Sequence, residues 1–308
     1  MSEAVAEAAG VNPIAGERRF VLLLLAAAPA GTIRALRRLL DTSSLSGRAR
    51  VETVTGMADA VRSLRRGSGE VPVAVGGDGT ANLLARALRE HESSPVMGLL
   101  PLGTGNALAH TLGIGRPDVA VVALLGGRPH ALDVMTTSHP NVSLALASLS
   151  CGFDGRFLMR YARRRRLGRP VAALLALPAA IARPRDRVRL VAEGADLVSP
   201  GEAVFSAGLY NISRFAGGRL VCRGADPGDG WAEAVVCPTA GCYWRTLRRG
   251  FAVDEDDIAG ERRCRAWRHA WLESSGAVQF DGEWAAGGSY EVQLESGGVN
   301  ILLPPGQV

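Results

Sequence analysis

A chain of 308 residues with 47% apolar and 21% charged side chains is long enough for two packed domains, and that composition excludes an intrinsically disordered protein. Its net charge of +5 comes from arginine and favours anionic partners such as nucleotide phosphates, a phospholipid surface or nucleic acid. Five cysteines without a C-x-x-C pair exclude a disulfide framework and a zinc site, which reads as a reducing cytoplasm.

The first apolar run, in "GERRFVLLLLAAAPAG" (16–31), has the parts of an export signal, but its surroundings favour a buried strand. An acidic tail precedes it, and a helical pattern (Ile33, Leu36, Leu39, Leu40) follows at once. The spacing then predicts strand 20–27, helix 32–41, strand 50–54, helix 57–66, strand 71–75, helix 81–90, strand 96–100 and a helix around 117–125. Such alternation argues a parallel sheet wrapped by helices. Beyond about residue 133, short alternating runs such as "RVRLVAEG", "AVFSAGLYNI" and "YEVQLES" predict an antiparallel, sandwich-like second domain. The expected division is an α/β nucleotide-binding domain over 1–133 and a β-rich domain over 134–294, with 295–308 free to return to the first. No run reaches the roughly 18 apolar residues of a membrane span.

Two glycine-rich turns carry the chemistry. "GGDGT" joins strand 71–75 to the next helix, and "PLGTGNALA" follows strand 96–100. Glycines at the carboxyl end of a parallel strand let the backbone approach a ligand, and the helix after them offers free N–H groups to phosphate. Gly76, Gly77, Gly79, Thr80, Gly103, Thr104 and Asn106 are therefore candidate nucleotide contacts, with Thr80 as helix N-cap or hydroxyl donor. Asp78 would repel phosphate unless a cation intervened, so its place implies Mg²⁺, held directly or through water. A bland reading makes Asp78 only a cap. Neighbouring strand ends converge on one crevice, so both turns should face one ligand.

Together these motifs resemble the diacylglycerol-kinase catalytic fold of soluble bacterial lipid kinases, sphingosine kinases and ceramide kinase. "DVM" (133–135), "SCGFDGRF" (150–157), "FAGGRLVCRGADPGDGW" (215–231) and "FDGEW" (280–284) continue the match in order. The resemblance implies an ATP- and Mg²⁺-dependent kinase that phosphorylates a lipid hydroxyl. It also implies an acidic junction residue at Asp133, lipid contact at Asp154, a magnesium loop at Asp229, and nucleotide or metal contact at Glu283. Asp281 becomes the candidate general base, although a D-G pair in isolation reads as a hairpin turn. Three departures stand out. The first strand lacks the family's following Asn, Ala107 replaces the usual acid, and Gly228 replaces the first acid of the magnesium loop.

None of the five histidines has an acidic or serine partner at a catalytic spacing, and no G-x-S-x-G elbow supports a hydrolase. "RYARRRRLGRPVAALLALPAAIARPRDR" (160–187) reads either as a core helix with solvated arginines or as an element lying on anionic lipid. Arginines without interleaved aromatics argue against nucleic acid. The sequence thus predicts a cytoplasmic, membrane-visiting lipid kinase, with a homodimer left open. The alternatives are a small-molecule kinase of the NAD-kinase or phosphofructokinase type and an inactive lipid-binding regulator.

Overall fold

A computed structural model describes residues 18–66, 69–91, 96–182, 186–215, 219–222, 224–249 and 262–306. The chain divides into two compact units, one of residues 1–132 with 297–308 and one of residues 133–296.

The first unit is built as strand–helix repeats: β1 (Phe20–Leu25), α1 (Ala30–Thr42), β2 (Ala49–Val54), α2 (Met57–Arg66), β3 (Val71–Gly76), α3 (Asp78–Glu90), β4 (Val96–Pro101), α4 (Ala107–Thr111) and α5 (Pro117–Gly126). β1 pairs with β2 and β3, β3 pairs with β4, and Asn300 and Ile301 of the last strand pair with Val96 and Met97, all in parallel. A parallel sheet covered on both faces requires strands apolar at every position. Hence Phe20, Val21, Leu22 and Leu23 are all buried, as are Val73, Ala74 and Val75. Leu36, Val121 and Leu124 come from the helices to close this core. The first strand is therefore structural, as its surroundings indicated. Arg18 at its start donates to the carbonyl of Gly127 at 2.8 Å.

The second unit opens with β5 (Arg128–His139), which begins in the first, then β6 (Val142–Ala145), β7 (Ser148–Gly152), α6 (Phe153–Arg164) and α7 (Arg169–Ile181). It continues through β8 (Asp186–Ala192), β9 (Ala195–Val204), β10 (Ser206–Tyr210), β11 (Arg214–Phe215), β12 (Arg219–Leu220), β13 (Ala232–Cys237) and α8 (Ala240–Arg249). β14 (Arg262–Trp267), β15 (His269–Ser274), β16 (Val278–Phe280), β17 (Glu283–Ala285) and β18 (Gly288–Leu303) complete the chain. One antiparallel sheet runs β14-β13-β10-β7-β16-β17, and another contains β18-β15-β8-β9. The two share a core that includes Leu149, Ala207 and Val236 from the first sheet and Leu190, Leu272 and Val292 from the second. β8 and β15 alternate buried and accessible residues, as a sheet with one covered face should. β10 and β13 are buried at every residue because Phe153, Tyr243 and Leu247 of the helices cover their other face. The architecture is thus an α/β unit with a parallel sheet and an antiparallel β-rich unit.

Two local readings need correction. The helix after "GGDGT" begins at Asp78, three residues before the expected start, with Gly77 as its N-cap. Thr80 is consequently inside the first turn and is not the cap. The helix expected after the second glycine turn is present as the five-residue α4, which carries His110.

Candidate functional site

In the first unit the glycine turns meet. A Cβ at Gly103 would stand 2.5 Å from the backbone N and Cα of Gly77, so only glycine permits this contact. A Cβ at Gly76 would lie 2.4 Å from the Thr80 hydroxyl, which is buried against that turn. The second turn is closed by Asn106, whose left-handed backbone (φ 49°) is one that asparagine tolerates. Its side-chain amide donates to the carbonyls of Pro101 and Gly103, both at 3.1 Å. Thr32, in the first turn of α1, donates its hydroxyl to the carbonyl of Leu102 at 3.1 Å. That tether had no signal in the sequence, where attention falls on the asparagine missing after β1. Thr104 is exposed at the tip.

Asp78 joins the two turns chemically. Its carboxylate accepts the backbone N–H of Ala107 at 3.0 Å and of Leu108 at 2.9 Å, the first residues of α4. It therefore caps a helix about thirty positions away, and places negative charge where that helix's dipole is positive. The contact uses only the main chain of residue 107, so alanine there leaves it intact. The N-terminus of α3 lies at this carboxylate, and a helix N-terminus suits a phosphate.

The described residues contain no group of three or more His, Cys, Asp or Glu able to hold a metal ion. Mg²⁺, however, usually keeps several waters and leans on substrate phosphates. Each Asp78 oxygen retains a lone pair beyond its N–H bond. Asn106 Oδ1 is buried without a hydrogen-bond partner, facing Gly77 and Gly103. Such acceptors fit the waters of a phosphate-bound Mg²⁺ and not a bare ion.

In the second unit Asp281 and Asp133 belong to one hydrogen-bonded network. Asp281 and Gly282 have positive φ (47° and 84°) and form the turn of the β16–β17 hairpin. The Asp281 carboxylate is buried and accepts the backbone N–H groups of Leu146 at 2.7 Å, Ala147 at 2.8 Å and Ser148 at 2.9 Å. Asn211, fully buried, donates to the carbonyls of Leu146 at 3.0 Å and Asp133 at 2.8 Å. Asp133 in turn accepts from the Gly230 N–H at 2.7 Å and the Ser296 hydroxyl at 3.0 Å. Asp229 lies on that Gly230 loop, exposed, with its carboxylate accepting the Trp231 N–H at 2.9 Å. Glu283 is exposed at the start of β17. Part of the glycine-rich magnesium motif, residues 216–218 and 223, lies outside the described residues. Asn211 is the network's hub, and nothing in its own stretch of sequence marks it.

Asp154 stands apart from this network. It opens α6 and is buried among Phe153, Phe205 and Tyr243. The Ser206 hydroxyl donates to it at 2.7 Å, and the Tyr243 hydroxyl donates to its other oxygen. Burial pushes its carboxyl above the usual range, against the pull of these donors and of Arg156. Burial also pushes the nearby Cys151 thiol up to about 12, which removes it as a nucleophile. Cys151, Cys222, Cys237 and Cys242 are buried, and none of them forms a disulfide.

Comparison with known proteins gives these sites a context. Residues 11–137 match the family model of the diacylglycerol kinase catalytic domain. A protein of Stenotrophomonas maltophilia named probable lipid kinase YegS-like is 25% identical over 249 residues, 77% of this chain and 80% of its own. A protein of the same name from Pseudomonas aeruginosa is 27% identical over 244 residues, 76% of each chain. Among solved structures, a diacylglycerol kinase from Bacillus anthracis covers 94% of this chain and 98% of its own, with a TM-score of 0.66 at 17% identity. An NAD kinase from Archaeoglobus fulgidus in complex with ATP covers 94% and 95%, with a TM-score of 0.51 at 13% identity. At such identities the structures speak for the fold alone.

Proposed function

We propose, from the match of residues 11–137 to the diacylglycerol kinase catalytic domain and the likeness to probable lipid kinases, that the chain transfers the γ-phosphoryl group of ATP to the hydroxyl of a lipid. The observation that carries the nucleotide half is the contact of Gly77 with Gly103, fastened by Asp78. Phosphoryl transfer asks little covalent chemistry of a protein and much positioning and charge stabilisation. Paired glycine turns and the N-terminus of α3 supply backbone donors for the phosphates. Bound Mg²⁺ would neutralise charge on the transferring group, with Asp78 and Asn106 receiving its waters.

For the acceptor half, Asp281 is our candidate base. Three backbone N–H donors fix the orientation of its carboxylate. Asp133 acts as a positioning residue, because it holds the Gly230 loop and, through Asn211, the segment that holds Asp281. A structural metal at Asp229 has less support, since its carboxylate already closes its own turn. We read the protein as acting in the cytoplasm with peripheral association to membranes. Among the described residues no helix is long and apolar enough to cross one.

The test is incubation with ATP labelled on its γ-phosphate and mixed micelles of diacylglycerol, a sphingoid base, ceramide or phosphatidylglycerol, with NAD and fructose 6-phosphate in parallel. Label in a lipid product supports the reading. Label in NAD or the sugar phosphate alone overturns it.

A further inference from the structure

Helix α7 is built inside out. Ala172, Ala176 and Ala180, spaced four apart, are completely buried, while Leu174 is 71% exposed, Leu175 46%, Val171 45% and Ile181 43%. Leu167, just before the helix, is 58% exposed and Leu177 37%. A globular protein normally turns leucine inward, because burying one such side chain is worth about 1.5–3 kcal/mol. Here the small residues face the protein and the large apolar residues face outward as one contiguous stripe, the signature of a surface waiting for a partner.

Charge identifies the partner. From residue 155 to 185 the sequence has nine arginines and no acid. Arg163, Arg165 and Arg166 are exposed at the start of the apolar stripe. The guanidinium of Arg163 stands 5.9 Å from the ring of Trp284, itself 39% exposed, which adds an indole to the basic end. An apolar face beside arginine and tryptophan matches the layering of a bilayer surface, with acyl chains next to anionic headgroups. At 13 residues α7 is only about 20 Å long, short of the roughly 30 Å hydrocarbon core, so it can lie in the surface but not span it. Pro178, within the helix, cannot donate to the carbonyl of Leu174. That free carbonyl is tolerable at the hydrated interface and costly in the bilayer centre.

We propose that the Leu174 face of α7, with Arg163, Arg165 and Arg166, docks the protein on anionic bilayers. This deepens the lipid-acceptor reading by naming the surface that meets the membrane, and its test requires no turnover. The full chain, without nucleotide, is sedimented with vesicles of phosphatidylcholine alone or mixed with phosphatidylglycerol. Binding should require the anionic lipid and weaken as salt rises. Leu174→Glu with Leu175→Glu should lower binding at least tenfold, since each leucine contributes about that factor. Arg163→Gln, Arg165→Gln and Arg166→Gln together should lower it about a hundredfold at low salt, near fivefold per arginine. Thermal melts should match wild type, because every substituted side chain is exposed. Phosphorylation of a short-chain, water-dispersed lipid should also persist, so loss of docking and failure of the kinase reading are told apart. Unchanged vesicle binding in both variants overturns the proposal. So does an oligomer that the leucine variant splits while vesicle binding survives, which would assign the face to a second copy.

Discussion

Asp281→Asn is the substitution on which structure and mechanism make different claims. Asparagine suits the left-handed turn as well as aspartate does, and it is nearly isosteric. The carboxylate, however, accepts three N–H groups, two on Oδ1 and one on Oδ2. The best placement of the amide keeps its oxygen towards Ala147 and Ser148 and turns NH₂ against the N–H of Leu146. One buried donor is then left without an acceptor, at a cost of about 1–3 kcal/mol. A central value of about 2 kcal/mol corresponds to a melting point lower by about 4–8 °C for a unit of this size. Asp281→Ala loses all three bonds and leaves at φ 47° a residue without the polar side chain that lets aspartate tolerate that conformation. It should unfold the second unit or lower its melting point well beyond the asparagine variant. Thermal melts check this, and kinetics must be taken well below the transition. If Asp281 is also the base, folded Asp281→Asn should lose about 10²–10⁴-fold in turnover with the KM for ATP nearly unchanged. An asparagine variant that melts with wild type would refute the hydrogen-bond reasoning. Folded protein retaining a third or more of wild-type turnover would place the base elsewhere.

Gly103→Ala drives a methyl to 2.5 Å from Gly77 and should weaken ATP binding at least tenfold by calorimetry, about what 1–3 kcal/mol of overpacking implies. Gly126→Ala, with nothing within 4 Å, is the neutral control. Asp78→Asn should raise the KM for ATP and blunt its Mg²⁺ dependence, with a stability loss of about 1 kcal/mol from one weakened α4 bond; unaltered kinetics would dismiss the assignment. Asp154 has a carboxyl whose folded-state pKa is raised by burial, so its contribution to stability is complete at low pH and fades as pH rises through that value. Asp154→Asn should therefore flatten the fall of melting temperature with rising pH on that arm.

The parallel sheet was legible because burial on both faces forces continuous apolar runs, and runs such as "FVLLLL" and "VPVAVG" end where glycine or small residues begin. The nucleotide turns were legible for a related reason: glycine is kept where backbone meets backbone, as at Gly77 and Gly103. The second unit's network was not. Leu146 and Asp281 are 135 positions apart, and Asn211 reaches Leu146 across 65, so no local pattern registers their pairing. α7 shows a different limit. Its period was readable, but hydrophobicity alone points its leucines inward, and only the close packing of Ala172, Ala176 and Ala180 shows the reverse.

A common device links the acids that the motifs single out. Asp78, Asp133 and Asp281 each accept backbone N–H groups from segments far away in the chain. A carboxylate in that position fixes loop geometry at the same time as it holds charge, and each N–H partner partly neutralises that charge. Under the proposed function, stabilisation of a transferring phosphoryl group would then come chiefly from the N-terminus of α3 and a hydrated cation carried by the nucleotide. On that reasoning the missing asparagine after β1, Ala107 and Gly228 count for less than they do in the sequence. The Ala107 contact is made by the main chain, Thr32 tethers the second turn from the segment that lacks the asparagine, and the Gly228 loop is fastened by Asp133 through Gly230.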